Sequence, residues 1–318
     1  MTTLRLLTLI SFALAVTGLS AQRNTGTPQG QYIQQAGQIP SVPDYIVFAG
    51  ETIRFDRADL RERLDRELIA FTYSHTNSIL MLKRANRIFP QVEPILKACG
   101  IPDDLKYLMA IESNLDPLAV SSAGAAGLWQ FTQSTGKLYG LEINSNVDER
   151  YNTEKATIAA CNYLKSSLSK YGDWLTVAAS YNAGQGAIST RLNNQRQTKA
   201  TDLVLAAETS RYMFRILVAK MMFENPQLFG FRLKSEELYP YIPAKETVSV
   251  TETISDLVQF AEDHGVSYAQ LREANPWLRE LTLKDSSHKE YFIDIPDVKG
   301  LHYNPRRTVA HNPRWVTE

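Results

Sequence analysis

Apolar residues recur at helical spacing through most of the chain from residue 59 to residue 224. The first run, in which Leu60, Leu64 and Leu68 are separated by charged residues, predicts an amphipathic helix. Residues 114–126 lose this period, and their small polar residues with Pro and Gly predict a loop. We expect an all-α domain, because no run here alternates as a strand would. The predicted helices cover residues 59–71, 79–89, 92–99, 102–113, 127–137, 153–171, 173–182 and 208–224.

The pattern changes after residue 239. Two segments alternate β-branched with polar side chains, as strands do, and two short helical patterns lie between them. The sequence therefore predicts a small βααβ domain over residues 246–296, followed by a loosely held tail over residues 297–318. The four predicted elements are residues 247–251, 254–265, 268–274 and 291–296.

The first 21 residues have the pattern of a cleavable secretory signal. Arg5 precedes an apolar run at residues 6–16, and small residues follow it up to Ala21. This run is shorter than the ~20 residues that a membrane-spanning helix needs, so we expect export and no transmembrane span in the mature chain. Residues 22–43 are rich in Gln, Gly and Pro and predict a flexible leader, and residues 44–95 predict an N-terminal helical segment.

The composition excludes several classes of protein. The 34 Lys and Arg residues balance the 34 Asp and Glu residues, so the chain lacks the basic excess of a nucleic-acid-binding protein. Two cysteines, Cys99 and Cys161, rule out a disulfide framework or a zinc finger and leave either one bridge or two separate thiols. The five histidines form no metal-binding motif, so we expect neither a metal nor another cofactor.

Glu112 is the acidic residue that the pattern singles out. It ends a helix with an apolar core side, where the helix dipole disfavours a negative charge. Partial burial there would raise the pKa of the carboxyl and keep it protonated near neutrality, as a general acid requires. The alternative is an ordinary surface glutamate. Trp129 and Tyr181 lie among amide and hydroxyl groups that would suit a sugar ring, although both could equally be core residues.

Four short motifs, in this order, resemble those of the soluble-type lytic transglycosylases. They read AIESN at 110–114, AGLWQF at 126–131, ASYNAG at 179–184 and ETSRY at 208–212. The resemblance implies a lysozyme-like helical catalytic domain, at residues 96–238, that acts on the peptidoglycan strands of a bacterial periplasm or cell envelope.

The second domain is similar to the LysM modules that follow the catalytic domain in some membrane-bound members of this family. The similarity covers residues 246–296 and includes Asn275-Pro276 and the final Ile295-Pro296. The usual Gly-Asp-Thr near the start of such a module is absent, because the chain reads Val250-Thr251-Glu252-Thr253 there. Sugar binding by this module is therefore an open question.

The resemblance also implies a mechanism in which Glu112 is the sole acid and base. Glu112 protonates the oxygen between N-acetylmuramic acid and N-acetylglucosamine, and the muramoyl N-acetyl oxygen attacks its own anomeric carbon. The residue then removes the proton of the C6 hydroxyl, so that a 1,6-anhydro ring closes without water. The resemblance implies that Ser113 and Ser121 supply hydroxyls near the acid and the N-acetyl group. It implies glycan contacts for Gln130, Tyr181 and Asn182, and places at the cleavage centre Glu208 and Tyr212.

Two other functions remain open from the residues. A goose-type muramidase would share the fold but hydrolyse the bond, and it would need a second carboxylate, for which Asp116 and Asp148 are the local candidates. A non-catalytic peptidoglycan-binding envelope protein would have no need of an acid at position 112. The oligomeric state is not indicated.

Overall fold

The computed structural model describes residues 39–284 and 289–317. The predicted secretory signal and most of the predicted leader lie outside these residues. The described chain opens with a β-hairpin, in which β1 (Tyr45–Phe48) pairs antiparallel with β2 (Glu51–Arg54). The predicted N-terminal helical segment, residues 44–95, therefore begins with a hairpin and becomes helical only from Ala58. Ala49 and Gly50 turn the chain at positive φ, as a two-residue hairpin turn requires.

Eight α-helices follow the hairpin and confirm the mainly α class. Together they surround one large hydrophobic core. α8 is the central helix, because α1, α3 and α6 all pack against it. The helices are α1 (Ala58–Tyr73), α2 (His75–Ala98), α3 (Lys106–Ser113), α4 (Gln133–Leu138), α5 (Thr153–Tyr171), α6 (Trp174–Ala183), α7 (Gln185–Gln195) and α8 (Ala207–Glu224).

α2 is one continuous helix where the sequence predicts two. Pro90 and Pro94 lie inside it, although a proline in a helix interior costs about 3 kcal/mol. Its buried face runs from Met81 to Leu96, and the helix packs on α5. Each large apolar side chain buried in this way contributes about 1.5–3 kcal/mol, so several of them outweigh the two breaks.

Two further boundaries differ from the prediction. The predicted helix at residues 127–137 begins only at Gln133, because Thr132 caps it by accepting the amide proton of Thr135 at 3.2 Å. Gly184 ends α6 at a φ of 85°, but α7 follows at once instead of the predicted break.

The predicted βααβ domain is confirmed. Its strands β3 (Ala244–Val250) and β4 (Tyr291–Pro296) pair antiparallel, and α9 (Leu257–Asp263) and α10 (Tyr268–Ala274) lie between them in the chain. Successive residues of β4 alternate between the two faces, so Ile293 is buried and Phe292 is 53% exposed.

This second domain docks on residues 142–151 of the helical domain. The Asp148 amide donates to the Trp277 carbonyl at 2.9 Å, and the Arg279 amide donates to the Asn146 carbonyl at 2.9 Å. The buried Asn146 side chain donates to the Thr282 carbonyl at 2.8 Å and accepts from the Lys284 amide at 2.8 Å. The module is therefore held by specific hydrogen bonds and is not merely tethered by its linker.

The C-terminal tail packs on the helical domain, so the prediction of a loose tail is wrong for residues 297–317. After a short helix, α11 (Val298–Leu301), the chain returns to α2 and α8. Trp315 is buried, and its Nε1 donates to the Phe223 carbonyl at 2.7 Å. The His311 amide donates to Asn86 Oδ1 at 2.7 Å. A single buried tryptophan anchors a segment that has no regular hydrophobic period.

Two other expectations concern the cysteines and the membrane. Cys99 and Cys161 are free thiols, and burial together with the neighbouring Cys99 raises the pKa of Cys161 to about 12. Within the described ranges, none of the helices combines the length and the apolarity that crossing a bilayer demands.

Candidate active site

Glu112 lies next to the C-terminal end of α3, beside a strained turn. Asn114 and Leu115 have φ of 53° and 54°, a left-handed conformation that is uncommon for leucine. Arg84, on α2, donates to the Asn114 carbonyl at 3.0 Å and to Asp116 Oδ2 at 3.0 Å. Leu115 is also fully buried. The turn that carries Glu112 into place is thus held by packing and by a guanidinium from another helix.

The carboxyl of Glu112 meets a buried phenol. Tyr212, on α8, donates its hydroxyl proton to Glu112 Oε1. Burial raises the pKa of Glu112 to about 7, although the Tyr212 hydrogen bond and the charge of Arg215 lower it. The charge of Glu208 raises it further. A carboxyl with a pKa near neutrality can both give and take a proton, which confirms the direction predicted from its place on the helix.

The loop that contains Gln130 is built around a glycine that no other residue could replace without movement. A Cβ at Gly127 would lie 1.9 Å from the Arg150 carbonyl oxygen. The Gln130 side chain donates from Nε2 to the Ala119 carbonyl at 3.1 Å and to the Gly127 carbonyl at 2.9 Å. Both protons of the Gln130 amide therefore shape the loop, and its Oε1 is the atom available to a ligand.

Trp129 and Tyr181 separate into a core residue and a site residue. Trp129 is fully buried, and its Nε1 donates to Thr157 Oγ1 at 2.9 Å. Tyr181 is half-buried and donates its hydroxyl proton to the Trp129 carbonyl at 2.8 Å. Burial, together with the charge of Glu112, raises the pKa of Tyr181 well above its ordinary value.

The other predicted residues are arranged less uniformly. Ser113 is buried and donates to the Met109 carbonyl at 3.2 Å, whereas Ser121 is exposed and accepts the Ala125 amide proton at 3.1 Å. Asn182 is half-buried at the end of α6, next to Tyr181. Glu208 is exposed in the first turn of α8, one turn before Tyr212. Glu112 therefore contacts Tyr212, and its charge acts on that of Tyr181 while the charge of Glu208 acts on Glu112 itself. The two serines instead make hydrogen bonds to the backbone.

Two arginines of the site have no part in the predicted set. Arg215 follows Tyr212 by three residues, so both lie on one side of α8, and its positive charge lowers the pKa of Glu112. This spacing is a signal that the sequence does contain. Arg84 lies on a different helix, some thirty residues before the turn that it holds, and no local pattern marks it.

The two acids considered for a hydrolytic reaction are already paired. Asp116 binds Arg84 and accepts the Leu118 amide proton at 3.0 Å. Asp148 is buried and binds Arg150 at 2.7 Å, and Arg150 in turn donates to the Gly124 carbonyl at 2.7 Å. Both carboxylates therefore hold loops in place through their arginine partners.

Comparison with known families identifies both domains. Residues 97–204 match the family model described as "Transglycosylase SLT domain". Residues 246–299 match that of the "Soluble lytic transglycosylase C-terminal LysM-like domain". The helical domain therefore matches an SLT transglycosylase family model and the second domain matches a LysM-like one, and the resemblance predicted from the four motifs is confirmed.

Individual relatives agree with this assignment. The chain is 28% identical over 278 residues to membrane-bound lytic murein transglycosylase D of Escherichia coli (strain K12), covering 85% of this chain and 59% of that protein. The chain thus spans less than two thirds of this relative. It is also 36% identical over 130 residues to peptidoglycan transglycosylase gp16 of Escherichia phage T7, covering 39% of this chain and 10% of that protein.

Among solved structures, the 70 kDa soluble lytic transglycosylase of Escherichia coli is similar with a TM-score of 0.37 and 19% identity. The similarity covers 51% of this chain and 30% of that one.

Proposed function

We propose that this protein is a peptidoglycan lytic transglycosylase. The single observation that carries the proposal is the Glu112 carboxyl, which has a pKa of about 7 and a phenol as its partner, inside a transglycosylase SLT domain. The relatives support the proposed substrate, because their names refer to murein or peptidoglycan. The catalytic domain would span residues 96–238 and adopt a lysozyme-like arrangement, and the module would span residues 246–296.

In the proposed reaction, Glu112 acts twice. Its protonated form donates to the glycosidic oxygen between N-acetylmuramic acid and N-acetylglucosamine, while the N-acetyl oxygen of the muramoyl unit attacks the anomeric carbon. The resulting carboxylate then takes the proton of the C6 hydroxyl, and the 1,6-anhydro ring closes. A pKa near 7 suits both steps, because neither form of the residue is strongly favoured at neutral pH.

The surroundings of Glu112 suit this use of one acid. Tyr212 donates to the carboxylate, which steadies it between the two proton transfers, and Tyr181 lies close by. The Ser113 hydroxyl already donates its hydrogen bond to a backbone carbonyl, so it would accept one from the substrate, whereas the Ser121 hydroxyl still has a hydrogen to donate. Gln130 Oε1, Asn182 and Glu208 complete the proposed set of glycan contacts.

The hydrolytic alternative is less well supported. A muramidase needs a second carboxylate that activates water, and Asp116 and Asp148 are both bound to arginines. Glu208 is the remaining acid whose charge acts on Glu112.

We also propose that the protein is exported and works in the bacterial cell envelope, as the predicted signal and the names of the relatives suggest.

Mass analysis of the products separates these reactions. Purified peptidoglycan digested by the full chain should release fragments that end in 1,6-anhydro-muramic acid and are one water lighter than hydrolytic fragments. Reducing-end muramic acid as the main product would assign the protein to the muramidases. No release of fragments, with binding retained, would favour the non-catalytic envelope protein.

A further inference from the structure

A wide groove separates the helical domain from the LysM-like domain. It has a volume of about 820 Å³ and lies away from Glu112. One wall comes from α2 and the N-terminal half of α5, and the other comes from the outer face of the β3–β4 sheet and the preceding linker. The groove residues used below are Gln91, Asn152, Ile158, Tyr241, Thr247 and Phe292.

Three apolar side chains face solvent in this groove. Phe292 is 53% exposed, Tyr241 is 44% exposed and Ile158 is 41% exposed. Single exposed apolar residues are common, but these three come from both domains and line one concave surface. Neutral amide and hydroxyl groups of Gln91, Asn152 and Thr247 lie in the same lining. Aromatic faces beside neutral polar groups suit the apolar ring faces and the hydroxyl rims of sugars.

The charges of the groove identify its ligand more closely. Lys155 is paired with Glu149, and Asp294 accepts a proton from the Thr247 hydroxyl at 2.6 Å. Glu154 is a further acid of the lining, so the groove carries no surplus of positive charge. The cation in this lining, Lys155, is already paired, so a polyanion or an acidic peptide would gain little here, whereas a neutral saccharide backbone needs no cation.

The docking contacts keep the two walls in position. The backbone bonds between Asp148 and Trp277 and between Asn146 and Arg279 join the domains next to the groove, and Trp277 itself lines it. A groove that is formed before its ligand arrives avoids the entropic cost of bringing two domains together.

We propose that this groove binds a second stretch of β-1,4-linked, N-acetylated glycan strand, separate from the strand at Glu112. The proposal rests on the proposed function for its ligand class. Binding at two places on one strand, or on neighbouring strands, would hold the enzyme on insoluble peptidoglycan between cleavage events.

The test measures binding in the absence of cleavage. The full chain with Glu112→Gln is compared with the same chain carrying Tyr241→Ala and Phe292→Ala, and with a matched control carrying Tyr303→Ala. Tyr303 is 78% exposed and does not line the groove. The probes are purified insoluble peptidoglycan, in a sedimentation assay, and soluble peptide-free oligomers of N-acetylglucosamine, in a calorimetric titration. Thermal unfolding establishes that all three chains are folded.

Loss of two aromatic contacts should weaken binding of the peptide-free oligomers about tenfold in the groove variant and leave the control unchanged. Equal binding by the groove variant and the control would overturn the proposal. Binding of peptide-bearing fragments alone, lost in the groove variant, would also overturn it and assign the groove to the peptide stems. Failure of the proposed reaction would appear separately, in the products of the unmodified chain.

Discussion

Two glutamates, Glu67 and the half-buried Glu112, each contact α8 and have opposite kinds of partner. Glu67, on α1, is fully buried and accepts from Arg211 at 2.8 and 3.1 Å and from Arg66 at 3.0 Å. Glu112, on α3, accepts a hydrogen bond from the phenol of Tyr212, which follows Arg211 directly in α8. A guanidinium neutralises a carboxylate, so the first glutamate forms a structural ion pair. A phenol brings no charge, so burial keeps the pKa of the second glutamate near 7 and leaves it a proton to exchange.

The largest expected effect comes from removing the exchangeable proton. Glu112→Gln should lower the release of anhydro fragments by about 10⁴-fold or more, because in the proposed reaction one residue serves both proton transfers. The amide is nearly isosteric, so folding and glycan sedimentation should persist. Glu62→Gln, on the exposed face of α1, is the matched control and should leave the rate unchanged. A Glu112→Gln rate within tenfold of the parent would remove this residue from the mechanism.

Replacing the neutral partner should have the next largest effect. Tyr212→Phe removes the hydrogen bond to the carboxylate, which is worth about 1.5–3 kcal/mol, or roughly 10- to 150-fold in turnover. That hydrogen bond lowers the pKa of Glu112, so its loss should also move the alkaline limb of the rate profile to higher pH. Initial rates measured from pH 5 to pH 9 test both effects. An unchanged profile would mean that Tyr212 does not act on the acid.

Breaking the charged pair should affect stability more than chemistry. Glu67→Gln leaves Arg211 and Arg66 without their carboxylate and should lower the free energy of unfolding by about 1–3 kcal/mol. Both arginines are half exposed, which keeps the cost below that of a fully buried pair. Denaturant unfolding gives the stability, and turnover at a temperature where both proteins are folded should agree within a few-fold. A rate loss comparable to that of Tyr212→Phe would erase the contrast between the two glutamates.

The unmodified protein should also show a pH-dependent rate. With a pKa of about 7, the protonated fraction of Glu112 should be about tenfold lower at pH 8 than at pH 6, and the rate should fall in parallel. A flat profile between these values would contradict the raised pKa.

The free energy of unfolding should also fall as the pH rises, because of the ionisation of Glu112. The folded-state pKa of Glu112 exceeds its ordinary value of 4.5, so its contribution to stability is complete below pH 4.5 and is lost as the pH rises through about 7. Glu112→Gln should therefore gain stability relative to the parent between pH 5 and pH 8, by up to about 3 kcal/mol. Thermal unfolding of both proteins across this range measures the difference.

Local sequence patterns were sufficient to predict those elements whose apolar face and end residues all lie within the element. α5 lies at the predicted residues and α8 begins within one residue of its prediction, because each has a clear apolar face and a definite end. The motifs around Glu112, Tyr181 and Tyr212 likewise predict residues that the fold brings close together. The hairpin at residues 45–54 was missed although its alternation and its Ala-Gly turn are visible in the chain.

What the sequence by itself determined is most of the helices, the βααβ unit, the resemblance to two families and the candidate acid, since these reside in short stretches of residues. Only the tertiary structure decided that α2 continues through two prolines, that Trp315 anchors the tail and that Asn146 joins the domains. It also decided that Arg84 holds the turn after Glu112 and that α8 offers a guanidinium to one glutamate and a phenol to the other. These outcomes depend on free energies of burial and pairing between residues far apart in the chain, which no local period encodes.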